Sequence, residues 1–189
     1  YSSMRWFSYL DVNAAEEVLE ELKTHKPANS VAQVTRPQAE VFPAQGEERC
    51  RVALLDYGVT KGVIQCLTRR GCAVTALPAS TSAQEVLSGG FDGVFLSDGP
   101  GDPADNAGLA AQVKELYAAS LPLYAMGLGH QLLAIASGAR TERLPYGHRG
   151  GNVPVRDLEL GRVFITSQNH GYAVVRDSVD PAAARVSYE

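Results

Sequence analysis

The chain of 189 residues carries a formal net charge of −4, and its composition is 45% hydrophobic and 20% charged. The length and composition predict one good-sized globular core, and the negative net charge excludes the basic surface that a nucleic-acid partner needs. The sequence contains no apolar run long enough to span a membrane. The cysteines, Cys50, Cys66 and Cys72, are odd in number and lack metal-ligand spacing, so we expect no disulfide framework, no metal site and a reducing, cytoplasmic setting.

Residues 1–48 differ in pattern from the rest of the chain. Asn13 is placed to cap a helix over residues 14–23, and the following segment is rich in Pro, Ala, Gln and Glu without a sustained period. We therefore predict an N-terminal helix and linker over residues 1–48, which form the end of a preceding domain, and one domain over residues 49–189.

Apolar strands and helical spacings alternate along the chain from Arg49 onward. This alternation predicts an α/β fold, a mostly parallel sheet with helices on both faces, whose ligands collect at the carboxyl ends of the strands. A glycine-rich excursion between a helix and a strand is predicted over residues 146–152, where it either serves an interface or only connects the two elements. The predicted strands cover residues 51–55, 72–77, 93–97, 123–126 and two within 162–175 joined by a polar turn, and the predicted helices cover 59–70, 82–87, 106–120 and 130–138.

The stretch over residues 122–138 has the spacing of a nucleophile elbow, a sharp strand-to-helix turn with a reactive side chain at its tip. Small residues flank Gly127 at Ala125 and Gly129, which lets the strand and the helix pack closely. The tip of such an elbow carries Ser or Cys, whereas Gly127 has no side chain. The N–H of Leu128 is placed to donate into the cavity that an elbow faces.

Three further features carry polar groups. In the loop over residues 97–103, two glycines flank a proline, so backbone N–H groups can face an oxyanion or carboxylate, although most such loops are only turns. His130 is a candidate base, but a histidine at a helix start is more often structural, and the Gln131 amide can turn toward a polar ligand. The turn over residues 167–172 predicts either a pocket wall or a hydrogen-bonded corner.

Four motifs in order, SDGPGDP, GLGHQLLAIASGA, PYGHRGGNVPV and ITSQNHGYAV, make the chain resemble the class I glutamine amidotransferases over about residues 51–175. The GDP ending, the GHRGGN segment and the QNHG turn resemble the small chains of carbamoyl-phosphate synthase in particular. The resemblance implies the flavodoxin-like fold of that family. It also implies a glutaminase, in which an elbow cysteine attacks the side-chain amide of glutamine, forms a thioester and releases ammonia to a large synthetase chain.

The resemblance further implies site residues and partners. The oxyanion donors are implied to be the N–H groups of Gly99 and Leu128, with His170 a neighbour of the site rather than its base. The expected partners are L-glutamine and the large chain of carbamoyl-phosphate synthase, with no nucleic acid and no membrane. No cofactor is expected in this domain, since ATP and Mg act on the large chain. The implied glutamine pocket consists of Gly101, Gln131, Asn169, Gly171 and Tyr172.

Two departures from the family pattern bear on activity. The cysteine position is Gly127, which leaves no thiolate and no covalent intermediate. The family's G-H-P-E segment, which supplies the base and its orienting Glu, is absent up to Glu189, so we expect an amidotransferase domain truncated at its C-terminus. We therefore expect an inactive glutaminase. Two alternatives remain open: a non-catalytic binding or regulatory subunit with the same fold, and a flavodoxin-like nucleotide-binding domain.

Overall fold

The computed structural model describes residues 16, 18–20 and 29–189. Of the helix predicted over residues 14–23, residues 16 and 18–20 are helical, and the remainder lies outside the described residues. Within the described ranges, no helix combines the length and the apolar character that crossing a membrane requires.

A largely parallel sheet forms the centre of the molecule. Its strands are β1 (Glu40–Phe42), β2 (Cys50–Asp56), β3 (Cys72–Pro78), β4 (Gly93–Leu96) and β5 (Leu123–Ala125). They lie in the order β1-β3-β2-β4-β5, with β2 to β5 parallel and β1 antiparallel to β3. The mostly parallel α/β sheet predicted from the alternation of strands and helices is therefore confirmed.

Helices pack on both faces of this sheet. They are α1 (Ser30–Val34), α2 (Lys61–Thr68), α3 (Ala83–Ser88), α4 (Ala107–Ala118) and α5 (Leu128–Ala136). Helix α2 contributes Ile64 to the core on one face. Helices α3, α4 and α5 contribute Val86, Val113 and Leu132 to the larger core on the other face.

The alternation of side chains along β2 divides the protein interior into these two cores. Ala53 and Leu55 pack with α3, α4 and α5, whereas Leu54, between them, packs with Ile64 of α2. Successive residues of a strand point to opposite faces, so a strand buried on both sides reads as a continuous apolar run.

Helix α3 begins where the sequence predicts it. The Oγ of Ser82 accepts from the N–H of Glu85 at 3.2 Å, and the Glu85 carboxylate accepts from the N–H of Ser82 at 2.8 Å. This reciprocal pair is a capping box, which satisfies backbone donors that the first helical turn would otherwise leave unpaired.

The C-terminal part differs from the prediction. Strands β6 (Thr141–Arg156) and β7 (Val163–Val174) form a two-stranded antiparallel ribbon. The glycine-rich segment over residues 146–152 is part of β6, where it produces register shifts, rather than a connection. Residues 162–175 hold a single strand rather than two strands and a turn, because residues 163–174 pair along β6 instead of with each other.

The segment that precedes β2 has structure of its own. Helix α1 buries Val31 in the larger core, and β1 pairs with the edge of β3 from Glu40↔Ala76 to Phe42↔Val74. Residues 29–48 are therefore attached to the sheet. The division into residues 1–48 and 49–189 stays a prediction.

The carboxyl ends of β2 and β4 form a switch point. The chain leaves β2 for β3 on one side and then enters β4 on the other side, so the two following loops diverge over the sheet. Such a divergence opens a crevice in which α/β proteins bind ligands. The loops after β2, β4 and β5 meet there.

Candidate functional site

The turn between β5 and α5 has the backbone shape of an elbow. Gly127 at its tip has φ 52° and ψ −119°, and its positive φ is one that residues with a side chain rarely adopt. Gly129 is pressed against the end of β4, where an added Cβ would lie 2.6 Å from the carbonyl O of Leu96 and 2.7 Å from that of Ser97. The close packing of α5 against the end of β4 thus depends on glycine at position 129, whereas glycine at position 127 adopts the positive φ without strain.

Two backbone N–H groups converge on one oxygen beside this tip. The N–H of Leu128 donates to Oδ1 of Asp98 at 3.0 Å, and the N–H of Gly99 donates to the same oxygen at 2.8 Å. An oxygen that accepts from two fixed backbone donors occupies a position with the geometry of an oxyanion site. The structure brings together the two donors that the resemblance implies, and their catalytic role stays a prediction.

Asp98 is a part of this site that sequence reasoning missed. Its carboxylate fills the space beside Gly127, so an added Cβ on that glycine would overlap Oδ1 and Cγ of Asp98. The residue is otherwise exposed to solvent. The only sequence signal was an acidic residue before the first glycine of the loop. The contact itself joins residues 30 positions apart.

The loop after β4 is held by the loop after β2. The buried Oγ of Ser97 accepts from the N–H of Tyr57 at 2.9 Å and donates to the carbonyl O of Asp98 at 2.8 Å. An added Cβ on Gly99 would overlap the carbonyl O of Tyr57, and one on Gly58 would lie 3.2 Å from Cα of Gly99. Contacts between the backbones of the loops after β2 and β4 therefore fix the direction of the Gly99 N–H.

The loop after β2 is in turn fixed by a buried carboxylate. Oδ1 of Asp56 accepts from the N–H groups of Gly58 at 2.9 Å and Val59 at 2.8 Å. Oδ2 accepts from Nε of Arg36 at 2.9 Å, so the segment before β1 is tied to the same carboxylate. Sequence reasoning did not single out this pair, which supports the site without forming part of it.

Gln131 and Tyr172 are two predicted pocket residues that the structure joins. Nε2 of Gln131, in the first turn of α5, donates to the carbonyl O of Tyr172 in β7 at 2.7 Å. This bond ties the helix that follows the elbow to the ribbon. Their role in binding glutamine stays a prediction.

The remaining predicted pocket residues have other neighbours. Oδ1 of Asn169 accepts from Arg149 of β6 at 2.7 Å, and an added Cβ on Gly171 would lie 3.4 Å from the same guanidinium. An added Cβ on Gly101 would lie 3.4 Å from the side chain of Ser30 in α1. These contacts place Asn169 and Gly171 within the ribbon and Gly101 beside α1.

The two candidate histidines differ in setting. The His170 ring is held on both sides, with Nε2 2.7 Å from Oε1 of Gln168 and Nδ1 2.7 Å from the carbonyl O of Tyr172. His130 is exposed as a residue, yet its ring is desolvated enough to lower its pKa below the usual value of 6.5. In the described part of the chain, no three His, Cys, Asp or Glu side chains are grouped to hold a metal ion.

Sequence comparisons give the same family as the motifs. The profile for glutamine amidotransferase class-I matches residues 53–189. The chain is 43% identical over 174 residues to the carbamoyl phosphate synthase small chain of Listeria monocytogenes, covering 92% of this chain and 47% of that protein. It is also 43% identical over 181 residues to the carbamoyl phosphate synthase pyrimidine-specific small chain of Halalkalibacterium halodurans, covering 95% and 49%. The chain spans about half the length of the curated relatives it matches.

Solved structures share the architecture at low sequence identity. A candidate GMP synthase protein from Thermoplasma acidophilum superposes with a TM-score of 0.59 at 17% identity, covering 69% of this chain and 68% of that one. A glutamine amidotransferase from Thermotoga maritima gives a TM-score of 0.51 at 16% identity, covering 66% and 62%. These likenesses confirm the predicted class I amidotransferase fold.

Proposed function

The chain belongs to the class I glutamine amidotransferase family, and from this premise we propose that it is a glutaminase component of the carbamoyl-phosphate synthase type that keeps the substrate site and lacks the nucleophile. The observation that carries the proposal is the pair of N–H groups, from Leu128 and Gly99, that share one oxygen beside Gly127. Such a position suits the carbonyl oxygen of an amide, which gains negative charge when the carbon is attacked.

The missing side chain at Gly127 removes the first chemical step. In a Cys-dependent glutaminase, the thiolate attacks the amide carbon of glutamine, ammonia leaves, and a thioester remains for water to hydrolyse. Gly127 offers no sulfur, so no acyl intermediate forms. Losing one member of a catalytic group lowers the rate by several orders of magnitude. We expect glutamine to bind and not to be hydrolysed.

We assign the pocket for glutamine to the crevice at the carboxyl ends of β2, β4 and β5. The contact between Gln131 and Tyr172 supports this assignment, since it brings α5 and β7 together next to the elbow. Gly101, Asn169 and Gly171 are proposed as further walls, and their motif positions alone support them.

The proposed partner is the large chain of carbamoyl-phosphate synthase, which receives ammonia and on which ATP and Mg act. The relatives are named as small chains, which supports a large-chain partner, and this chain spans about half of their length. A cytoplasmic location is proposed from the family resemblance. Within the proposed scheme, this domain binds its amide with backbone donors and needs no cofactor of its own.

Two measurements test the proposal. Isothermal titration of the purified chain with L-glutamine is expected to show one binding site, and an ammonia assay is expected to show no release above a no-protein control. Ammonia release above that control contradicts the loss of the nucleophile. Absence of glutamine binding favours the alternative of a non-catalytic subunit that retains only the fold.

A matched pair of variants locates the site. Gln131→Ala removes the amide that links α5 to β7 and is expected to weaken glutamine binding, whereas Gln65→Ala changes an exposed glutamine of α2 and is expected to leave it unchanged. ATP added in place of glutamine is expected to leave the melting temperature unchanged, because only a ligand of the native state raises it. A rise with ATP alone favours the nucleotide-binding alternative.

A further inference from the structure

The proposed oxyanion site is filled by a side chain of the chain itself. Oδ1 of Asp98 accepts from both Gly99 and Leu128, at 2.8 Å and 3.0 Å. Hydrogen bonds to a carboxylate are stronger than those to a neutral amide oxygen. The side chain that holds this place therefore competes with any substrate carbonyl for the same two donors.

Glycine at the elbow tip makes this occupancy possible. An added Cβ on Gly127 would overlap Oδ1 and Cγ of Asp98, so a residue with a side chain at position 127 excludes the carboxylate from its observed position. A side chain at position 127 and the observed position of the Asp98 carboxylate are therefore mutually exclusive.

We propose that Asp98 is a built-in occupant of the oxyanion site, which must rotate away before a ligand carbonyl binds there. The competition with glutamine rests on the function proposed above, while the occupancy itself does not. Asp98 is exposed, so its side chain has free space into which it can rotate. Residue 98 thereby sets the affinity of the site, in addition to the residues that line it.

The size of the effect follows from the bonds that Asp98 must give up. A ligand that binds only the open state loses affinity by the fraction of molecules in which the site is open. Hydrogen bonds to a charged group are stronger than those to a neutral one, so removing the occupant is expected to raise glutamine affinity on the order of tenfold or more.

The occupancy is tested by the amide resonances of Gly99 and Leu128 in the full chain. Asp98→Ala is expected to move both amide proton resonances upfield, because each loses a charged acceptor. Gly127→Ala is expected to do the same by expelling the carboxylate. The matched control Asp102→Ala changes a carboxylate in the same loop that accepts from Ala104, and it is expected to leave both resonances in place.

The competition is tested by titrating glutamine into the same variants. Asp98→Asn, which keeps the shape and removes the charge, is expected to bind more tightly than the parent, and Asp98→Ala more tightly still. If either variant fails to fold, the other carries the test. Unmoved amide resonances in the folded variants overturn the occupancy. Equal glutamine affinity in parent and variants overturns the competition, whereas moved resonances with no glutamine binding in any of them sustain the occupancy and contradict the proposed function.

A second, independent feature lies at the amino ends of two interior strands of the sheet, at the opposite end from the candidate site. Cys50 begins β2 and Cys72 begins β3, and the two residues are direct partners in the parallel register. Their sulfur atoms lie 3.5 Å apart, and both residues are half-buried. Neighbouring strands are spaced by about 4.7–4.9 Å, which lies within the range of about 4.4–6.8 Å that the Cα atoms of a disulfide span.

From this geometry we infer that Cys50 and Cys72 are a modification site that forms a disulfide with a hydroperoxide as the oxidant. One thiolate attacks the peroxide oxygen, giving a sulfenic acid and water from hydrogen peroxide. The second sulfur then displaces the hydroxyl group as a second water, so two thiols are oxidised as one peroxide is reduced. Burial and the neighbouring Cys50 raise the pKa of Cys72, so the reaction is expected to accelerate with rising pH.

The test is to treat the full chain with hydrogen peroxide and to map its thiols by mass spectrometry. The expected product has lost the mass of two hydrogen atoms, has a linked peptide pair containing residues 50 and 72, and keeps Cys66 alkylatable. Cys72→Ser is expected to abolish the linkage, whereas the matched Cys66→Ser is expected to retain it. Sulfinic acid at Cys50 or Cys72 without linkage, or a link to Cys66, overturns the inference.

Discussion

Oδ2 of Asp56 accepts a hydrogen bond of 2.9 Å from Nε of Arg36, and this ion pair joins the segment before β1 to the loop that aims Gly99. Both side chains are largely buried, at 6% and 14% exposure. The pair therefore helps to hold the loop after β2, whose backbone contacts Gly99.

Arg36→Met is expected to destabilise the chain by about 3 kcal/mol, because it leaves the buried Asp56 carboxylate without its cation. Glu40→Gln removes only the more exposed ion pair, between Glu40 and Arg36, and is expected to lower the free energy of unfolding by less than about 1 kcal/mol. Urea denaturation of the two variants measures the difference. Equal stability of both would show that the Asp56 pair does not hold the loop.

Tyr57→Phe is expected to stabilise the chain or leave it unchanged. Tyr57 is fully buried, its OH has no hydrogen-bond partner among the described residues, and burial raises its pKa. An unsatisfied buried polar group costs about 1–3 kcal/mol, which the phenylalanine avoids. The exposed Tyr117→Phe on α4 serves as the control and is expected to change stability by less than about 0.5 kcal/mol. A clear loss of stability in Tyr57→Phe would reveal a partner for the hydroxyl.

The stability of the parent chain is expected to fall on acidification in a way that depends on His130. Desolvation lowers the pKa of the folded His130 below 6.5, so in that window the unfolded chain binds more protons. The contribution of His130 to stability is therefore fully present above pH 6.5 and is lost as the pH falls toward the folded pKa. His130→Gln is expected to flatten this decline in thermal unfolding. A ring titration by NMR at or above 6.5 would contradict it.

The capping box at α3 predicts a separate acidic transition. Hydrogen bonds from the side chain and backbone of Ser82 lower the pKa of Glu85 below 4.5, so its contribution is present above that value and is lost as the pH falls through the folded pKa. Ser82→Ala is expected to raise the Glu85 pKa, measured by carboxyl ¹³C shifts. Ser88→Ala, which removes a bond to the backbone carbonyl of Glu85, is expected to leave it unchanged.

Much of the central fold was predictable because its signals are local. The apolar run of β2 and the capping residues of α3 are set by neighbours in sequence, and both lie within a residue or two of their predicted bounds. The three-residue strand β1 is too short for a period to show, since its pairing with β3 defines it. The same holds for β6, whose glycines form a strand only because β7 lies beside them.

The backbone of the candidate site was predictable from the sequence, whereas the position of the Asp98 carboxylate within it was not. The glycine spacing around position 127 predicts the turn, and the motif resemblance names the donors Gly99 and Leu128. The orientation of Asp98 depends on the loop after β4 meeting the start of α5, a relationship that local sequence does not contain. It also depends on empty space at Gly127, which a motif match treats only as a missing nucleophile.

The glycines at 58, 99 and 129 are required where one backbone lies against another, and none of those contacts involves position 127. Folding alone therefore accounts for these glycines of the motif, independently of catalysis. We therefore expect the glycine pattern to identify the scaffold among relatives of this chain, and residues 127 and 98 to be the positions that separate a glutamine-hydrolysing domain from the proposed site occupied by its own carboxylate.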